Sequence, residues 1–291
     1  MLRALVAIWL IWGFNWVVMK TANTYFPPIL FVTWRFGSGA LILLAIAFWK
    51  KIPLPDAKFL PFIILTGILQ LTLNNVCAQI GMQSVSAGMA AVLNYTAPLW
   101  TAILAHFALN ERLTRIKLFG ILLSIVGLYI LMGLQGVEDI YSAFIIIAGA
   151  IAMGFSNIIT KLRLSKSNMI QLTTWQMVFG ALTLVIYTSI FPQGDINWNL
   201  TAVLCVIYNG ALASALAFFL WNYVLTHIEA SKASIATLVA PIVGVLGGVV
   251  FLGEPLTVQI ILGIVLIFAG ILIVVKKRQA SNEQRRTRNL F

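Results

Sequence analysis

The sequence predicts an all-α, polytopic membrane protein: ten transmembrane helices arranged as two inverted five-helix repeats. Three observations predict it. Only 9% of the 291 residues are charged and 61% are apolar, against about a quarter charged in an ordinary soluble domain. The apolar residues fall into long runs separated by brief polar interruptions. The two halves of the chain also repeat each other at a nearly fixed offset. Ten crossings of about 20 residues use roughly 200 residues, which leaves short loops and no soluble domain. This composition excludes a water-soluble fold, a disordered chain and a nucleic-acid binder.

The spans are expected at 3–20, 29–49, 59–81, 86–107, 115–133, 141–160, 171–191, 200–225, 231–251 and 257–275. The first follows Arg3 and imitates a signal peptide. It lacks a small-residue cleavage site and holds Trp9, Trp12, Asn15 and Trp16, so it reads as a helix. The second carries Arg35 about 9 Å inside the span at 1.5 Å per residue. The third bears Asn74, Asn75 and Gln79, the last two sharing a face at i, i+4. The fourth and ninth each hold a proline near the middle, Pro98 and Pro241. The fifth and tenth each carry Gly-x6-Gly, at Gly120/Gly127 and Gly263/Gly270. Asn157 lies in the sixth, Trp175 and Gln176 in the seventh, Asn209 and Asn222 in the eighth. The ninth also contains Gly244-x3-Gly248, a spacing that lets helices pack closely.

The net charge of +11 is mostly a topology signal. Arg3, the loops after spans 2, 4, 6 and 8, and the tail together hold 17 of the 19 basic residues. The loops after spans 3, 5, 7 and 9 hold none. Lys20 is the exception on the sparse side, and Arg35 lies within a span. The positive-inside bias makes the basic side cytoplasmic, so both termini are expected inside a cell (plasma or inner) membrane. The two cysteines, Cys77 and Cys205, lie in apolar runs and offer neither a disulfide framework nor metal spacing. No metal, cofactor or nucleotide-binding motif is expected.

At an offset of 141, Gly13, Phe14 and Lys20 match Gly154, Phe155 and Lys161, and Gly39-Ala40-Leu41 matches Gly180-Ala181-Leu182. At 143, Pro98, Glu111, Leu113, Thr114, Gly120 and Gly127 match Pro241, Glu254, Leu256, Thr257, Gly263 and Gly270. Apolar coincidences are cheap in such a chain, but matching Pro, Glu and Thr at one offset is not. The repeats are expected at 1–138 and 139–276, with a basic tail at 277–291. Each half holds five spans, an odd number, so the second enters the membrane inverted. Inverted repeats recur in secondary transporters.

These residues carry a resemblance. Asn-Glu-Arg-Leu-Thr at 110–114 and Gly-Glu-Pro-Leu-Thr at 253–257 each follow a proline-bearing span and precede the Gly-x6-Gly span. With Trp-Arg-Phe at 34–36, the chain resembles the EamA family of the drug/metabolite transporter superfamily over about 3–275. The resemblance implies a ten-helix inner-membrane transporter, often an exporter of amino acids or other small metabolites. The second half departs from the first by carrying Gln176 where Arg35 would repeat.

A candidate substrate site follows from polar residues deep in the spans. Pro98 and Pro241 cannot donate to the carbonyls of Asn94 and Thr237, so a freed carbonyl and a polar side chain sit together at each proline. Both prolines are candidate hinges. Asn15, Asn74, Asn75, Gln79, Asn94 and Tyr95 form a polar set, and Trp16 and Tyr95 are deep enough to pack a substrate. Arg35 either snorkels outward or forms a structural pair, or holds a substrate carboxylate through a bidentate contact. Trp34, Trp175, Trp221 and Tyr223 fall near span ends, where an interfacial aromatic belt is expected. Glu111 and Glu254 belong to interfacial turns or act in coupling or gating, with Thr114 and Thr257 capping the next helices. His106 and His227 read as ordinary interfacial residues.

The expected function is secondary transport, in the export direction, of a small organic metabolite such as an amino acid or a related amphipathic compound. Its partners are that substrate and the bilayer, with no nucleic acid, in a monomer or homodimer. A passive channel or lipid scramblase is the alternative. An enzyme is disfavoured because no catalytic cluster lies in the spans.

Overall fold

The structure is a computed structural model that describes residues 1–109, 114–132, 137–228, 230, 233, 237–270 and 273. Among these residues it is all-helical, without a strand. The helices are α1 (Leu2–Ala22), α2 (Pro28–Trp49), α3 (Leu60–Gly81), α4 (Ala87–Ala108), α5 (Arg115–Met132), α6 (Val137–Ile159, prolonged to Leu164), α7 (Met169–Ile190), α8 (Leu200–His227), α9 (Ala240–Leu252) and α10 (Val258–Gly270). Seven of the described helices (α1 to α4 and α6 to α8) are long and apolar enough to cross a bilayer. Helices α9 and α10 are apolar but shorter. Residues 234–236 before α9 and 271–272 after α10 lie outside the described set, so neither helix is described to full spanning length. The chain is a multi-pass membrane protein.

Local signals set the helix ends. Ser86, Asn168 and Asn199 are N-caps whose side-chain oxygens accept from the backbone of Met89, of Ile170 and Gln171, and of Ala202. Thr114 and Thr257 cap as expected, accepting from Lys117 and Ile260 at 3.3 Å each. Helix α9 stops at Gly253, whose φ of +67° is the left-handed conformation that closes a helix C-terminus.

The expected mid-helix prolines are not kinks in continuous helices. Helix α4 breaks after Asn94, turns through Tyr95 and Thr96, and restarts at Ala97 with Pro98 in its first turn. Before α9, a 3-10 turn at Thr237–Val239 precedes Ala240, and Pro241 again lies in the first turn. Proline is tolerated there because its missing N–H has no intrahelical partner anyway. Helix α4 is therefore discontinuous at the depth of its proline, and α9 starts at its own. Helices α3 and α8 widen into π-helical stretches at Ile68–Leu73 and Tyr208–Leu216, a distortion frequent at functional sites.

The two halves interlock. Helix α2 packs along α7, α1 packs on α8 and α9, and α6 packs on α3 and α4. Contacts repeat across the halves. A Cβ at Gly39 would lie 3.1 Å from the Gly210 carbonyl, and one at Gly180 3.2 Å from the Gly67 carbonyl. The numbers differ by 141 for the glycines and 143 for the carbonyls. The Gly-x6-Gly pattern also finds its reason: Gly127 approaches the Gly263 backbone, and Gly270 that of Gly120. Bare backbones let α5 and α10 touch where any side chain would separate them.

Lys20 and Lys161 repeat this exchange with charge. Lys20 Nζ donates to the Met82 and Val85 carbonyls at 2.7 and 2.9 Å, beyond the end of α3. Lys161 Nζ donates to Leu225, Thr226 and Ile228 at 3.1, 3.3 and 2.6 Å, at the end of α8. Each ammonium satisfies carbonyls that a helix C-terminus leaves unpaired.

Candidate functional site

Helices α1, α2, α3, α6 and α8, with the break in α4 and the turn before α9, surround a cavity. From α1 come Trp12, Asn15, Trp16 and Met19, and from α2 Arg35. Helix α3 adds Asn74, Asn75 and Ala78; the α4 break adds Asn94, Tyr95, Ala97 and Pro98. Met153 and Asn157 face it from α6, Phe218 and Trp221 from α8, and Thr237 from the turn before α9. The empty volume is about 600 Å³ with the open mouth included.

The cavity wall leaves polar atoms without partners. Asn15 Nδ2 lies 2.9 Å from Met19 Sδ, but Asn15 Oδ1 is unpaired. Asn157 Nδ2 donates to Thr101 Oγ1 at 3.2 Å, and its Oδ1 is unpaired. Asn74 Nδ2, Asn94 Nδ2 and Trp221 Nε1 have no acceptor. Each such group costs about 1–3 kcal/mol when buried unsatisfied, and most buried polar groups in proteins are paired. Five of the eleven such unpaired atoms among the described residues belong to residues that line this cavity. Its apolar walls are aromatic: Trp12 contacts Phe218 and Trp221 at centroid separations of 5.1 and 5.9 Å, and Trp16 faces Tyr95 at 6.4 Å.

Arg35 does not reach outward. It is 2% exposed, donates from Nε to Ser214 Oγ at 3.0 Å, and contacts Met19 Sδ through Nη1 at 3.3 Å. The π stretch of α8 positions Ser214 for that bond. Gln176, which stands where Arg35 would repeat, is spent on neutral bonds: it donates to Thr66 Oγ1 at 2.8 Å and accepts from Asn222 at 2.9 Å.

Of the sequence candidates, the structure brings Asn15, Trp16, Arg35, Asn74, Asn75, Asn94, Tyr95, Pro98 and Thr237 to the cavity. Gln79 is not in the lining; it donates to the Met19 carbonyl at 2.9 Å and to Asn23 Oδ1 at 2.7 Å, tying α3 to α1. Pro241 lies one turn beyond Thr237, also outside the lining. Trp221 is a correction: it is 1% exposed and lines the cavity rather than an interfacial belt. Trp34 is 45% exposed and packs edge-on against Trp198. Trp12, Met153 and Phe218 were missed as lining residues. Apolar side chains carry no depth signal in a chain where apolar residues are everywhere.

Glu254 lies away from the cavity, in a built position. Its two oxygens accept from the N–H groups of Ala87 and Gly88 at 2.7 and 3.1 Å, at the N-terminus of α4. The positive end of that helix and the charge-assisted bonds both favour a carboxylate there. The left-handed Gly253 turns the chain back, and side-chain-free Gly248 makes room for the carboxylate. The counterpart Glu111 lies outside the described residues.

A bundle of apolar helices round a buried cavity with polar and aromatic walls defines a multi-pass membrane protein with an internal cavity. The profile of the EamA-like transporter family matches residues 2–133 and again 140–276, and the chain belongs to that family. It is 32% identical over 274 residues to the uncharacterized transporter YoaV of Bacillus subtilis (strain 168), covering 92% of this chain and 94% of that one. It is 28% identical over 275 residues to a probable amino-acid metabolite efflux pump of Salmonella typhimurium, covering 90% of each. A solved crystal structure superposes with a TM-score of 0.74 at 17% identity, over 94% of this chain and 96% of that chain, and shares the fold.

Proposed function

We propose that the protein is a secondary transporter that exports a small amphipathic metabolite across the inner membrane by alternating access, using the cavity as its substrate site. The observation that carries this reading is the set of unpaired polar atoms on Asn15, Asn74, Asn94, Asn157 and Trp221 round one aromatic-walled cavity. The relative named as an amino-acid metabolite efflux pump supports the export direction and a substrate of that size.

Ten spans in two inverted repeats, 1–138 and 139–276, complete the architecture, with the basic tail at 277–291 and both termini cytoplasmic. The double family match and the exchanged contacts of Gly39 with Gly180, and of Lys20 with Lys161, support this pseudo-twofold. On this topology Lys20 and Glu254 stitch the outer face while Lys161 stitches the inner one. Glu254 bonds α4 of the first half from the α9–α10 connection of the second. Opening that face separates them, which makes Glu254 a gating residue. The breaks at Pro98 and Pro241 are the hinges on which the half-helices swing.

The test is counterflow in proteoliposomes with labelled phenylalanine, leucine and their deaminated acids. A carrier gives saturable uptake that unlabelled compound on the far side stimulates. Non-saturable flux without counter-stimulation indicates a channel or scramblase and overturns the reading.

A further inference from the structure

Arg35 is the one cavity-lining residue with a fixed charge. Its partners are a hydroxyl and a thioether, both neutral, with the Phe36 ring centroid 4.8 Å from its guanidinium carbon. The cavity lining contains no aspartate or glutamate, and among the described residues the sole ion pair is Lys58–Asp56 on the surface. A cation removed from water and left without an anion is strongly disfavoured. A guanidinium has five N–H donors in a planar fork, and among the described residues two hydrogen bonds engage this one. The remaining donors suit the two oxygens of a carboxylate.

The rest of the cavity sets the other end of the ligand. An ammonium would meet no acid. It would find only neutral acceptors, the side-chain amide oxygens of the lining asparagines, at the expense of its hydration. The walls of Trp12, Trp16, Phe218 and Trp221 suit an apolar or aromatic body. The repeat sharpens the point, because Gln176 stands where Arg35 would recur and its amide is consumed in a neutral network. The charge is carried on one side of the pseudo-twofold, so the ligand lies in the site in one orientation.

We propose that the cavity takes an amphipathic monocarboxylate with an otherwise uncharged body, its carboxylate paired with Arg35 and its apolar part against the aromatic wall. This rests on the transporter reading of the same cavity and narrows its substrate class from amino-acid-like compounds to carboxylic acids without an amine.

The experiment is titration calorimetry on the purified full chain in detergent, with three probes that share a phenyl body: 3-phenylpropionate, phenylalanine and phenethylamine. The acid is expected to bind tightest and the amine at least about tenfold more weakly, the scale of one charge-assisted hydrogen-bond pair. Arg35→Gln is expected to weaken the acid by about tenfold or more and to leave the amine unchanged. Arg35→Lys retains the charge without the fork and falls between. A folding readout accompanies these: without ligand, Arg35→Gln keeps or raises the melting temperature, because it removes an unpaired charge. Phenylalanine or phenethylamine binding as tightly as 3-phenylpropionate overturns the proposal. So does an Arg35→Gln protein that holds the acid as well as wild type or melts well below it. Saturable counterflow of the amine-bearing probes alone removes the carboxylate proposal and leaves the transporter; non-saturable flux of every probe removes the transporter reading, whatever the titrations give.

Discussion

The amide cluster makes a sharp demand at the scale of single residues. Asn94 is 8% exposed and its Nδ2 has no acceptor, so its truncation breaks no hydrogen bond made by that amide group. Asn94→Ala is therefore expected to leave thermal stability within about 1 kcal/mol, since truncation removes an unsatisfied group rather than a made bond. It lowers counterflow at the same time. Gln79→Ala is expected to behave in the opposite way: it breaks one buried and one part-buried bond that tie α3 to the end of α1 and costs about 1–3 kcal/mol. Thermal unfolding and flux on the two variants check the contrast. The polar members of the site were legible because a polar residue deep in a span is conspicuous against its apolar neighbours. Gln79 looked the same in sequence, as helical periodicity fixes a face but not the partner. Trp221 was misread because distance from a span end does not reveal which way a ring points.

The discontinuities and the Glu254 cap are the features of consequence at the scale of elements. Pro98 lies in the first turn of the second half of α4, after a full break at Tyr95 and Thr96. Pro98→Ala supplies a donor that lets the two halves of α4 join as one helix. The expected result is a several-fold slower cycle with stability maintained, and Pro241→Ala is expected to act likewise. Stopped-flow tryptophan fluorescence measures the conformational rate, and wild-type rates in both variants assign the prolines to packing alone. Glu254→Gln keeps the length of the side chain but removes the charge that the α4 N-terminus favours, at about 0.5–2 kcal/mol. If Glu254 closes a gate, the loss appears as increased labelling of a single cysteine placed at Ala97 in a Cys77→Ser, Cys205→Ser background. Equal labelling with and without the charge makes Glu254 a cap and nothing more. Sequence spacing revealed the twin Pro, Glu and Thr positions. It did not reveal that Glu254 reaches across to α4, because that contact exists only once α9 lies beside α1 and α4.

On the proposed topology the whole molecule is two similar halves inserted in opposite senses, and the placement of the positive residues makes that testable. Cysteines introduced at Glu138 and Asp195 are expected to react with an impermeant thiol reagent in intact cells, and one at Lys50 only after permeabilisation. The reverse pattern inverts the gates assigned to Lys20 and Lys161. Among the described residues no acid lines the cavity, and arginine does not release its proton at physiological pH. Uptake of 3-phenylpropionate driven by an imposed pH gradient at zero potential is therefore expected to show no accumulation beyond that of the undissociated acid in protein-free vesicles. Fold class, the repeat and the polar half of the site came from composition, period and offset, which are local or arithmetic properties. The aromatic wall, the neutral setting of Arg35 and the discontinuity of α4 needed the packed bundle.

The central claim is that the polar, aromatic-walled cavity is the substrate site of a carrier. Counterflow of labelled 3-phenylpropionate and phenylalanine into proteoliposomes tests it most directly, comparing wild type with Asn94→Ala and Tyr95→Ala variants of equal insertion and stability. The account predicts saturable, counter-stimulated uptake in wild type, falling about tenfold or more in both variants, as loss of a buried polar contact to ligand requires. Uptake that saturates equally in all three proteins, or that saturates in none, contradicts it.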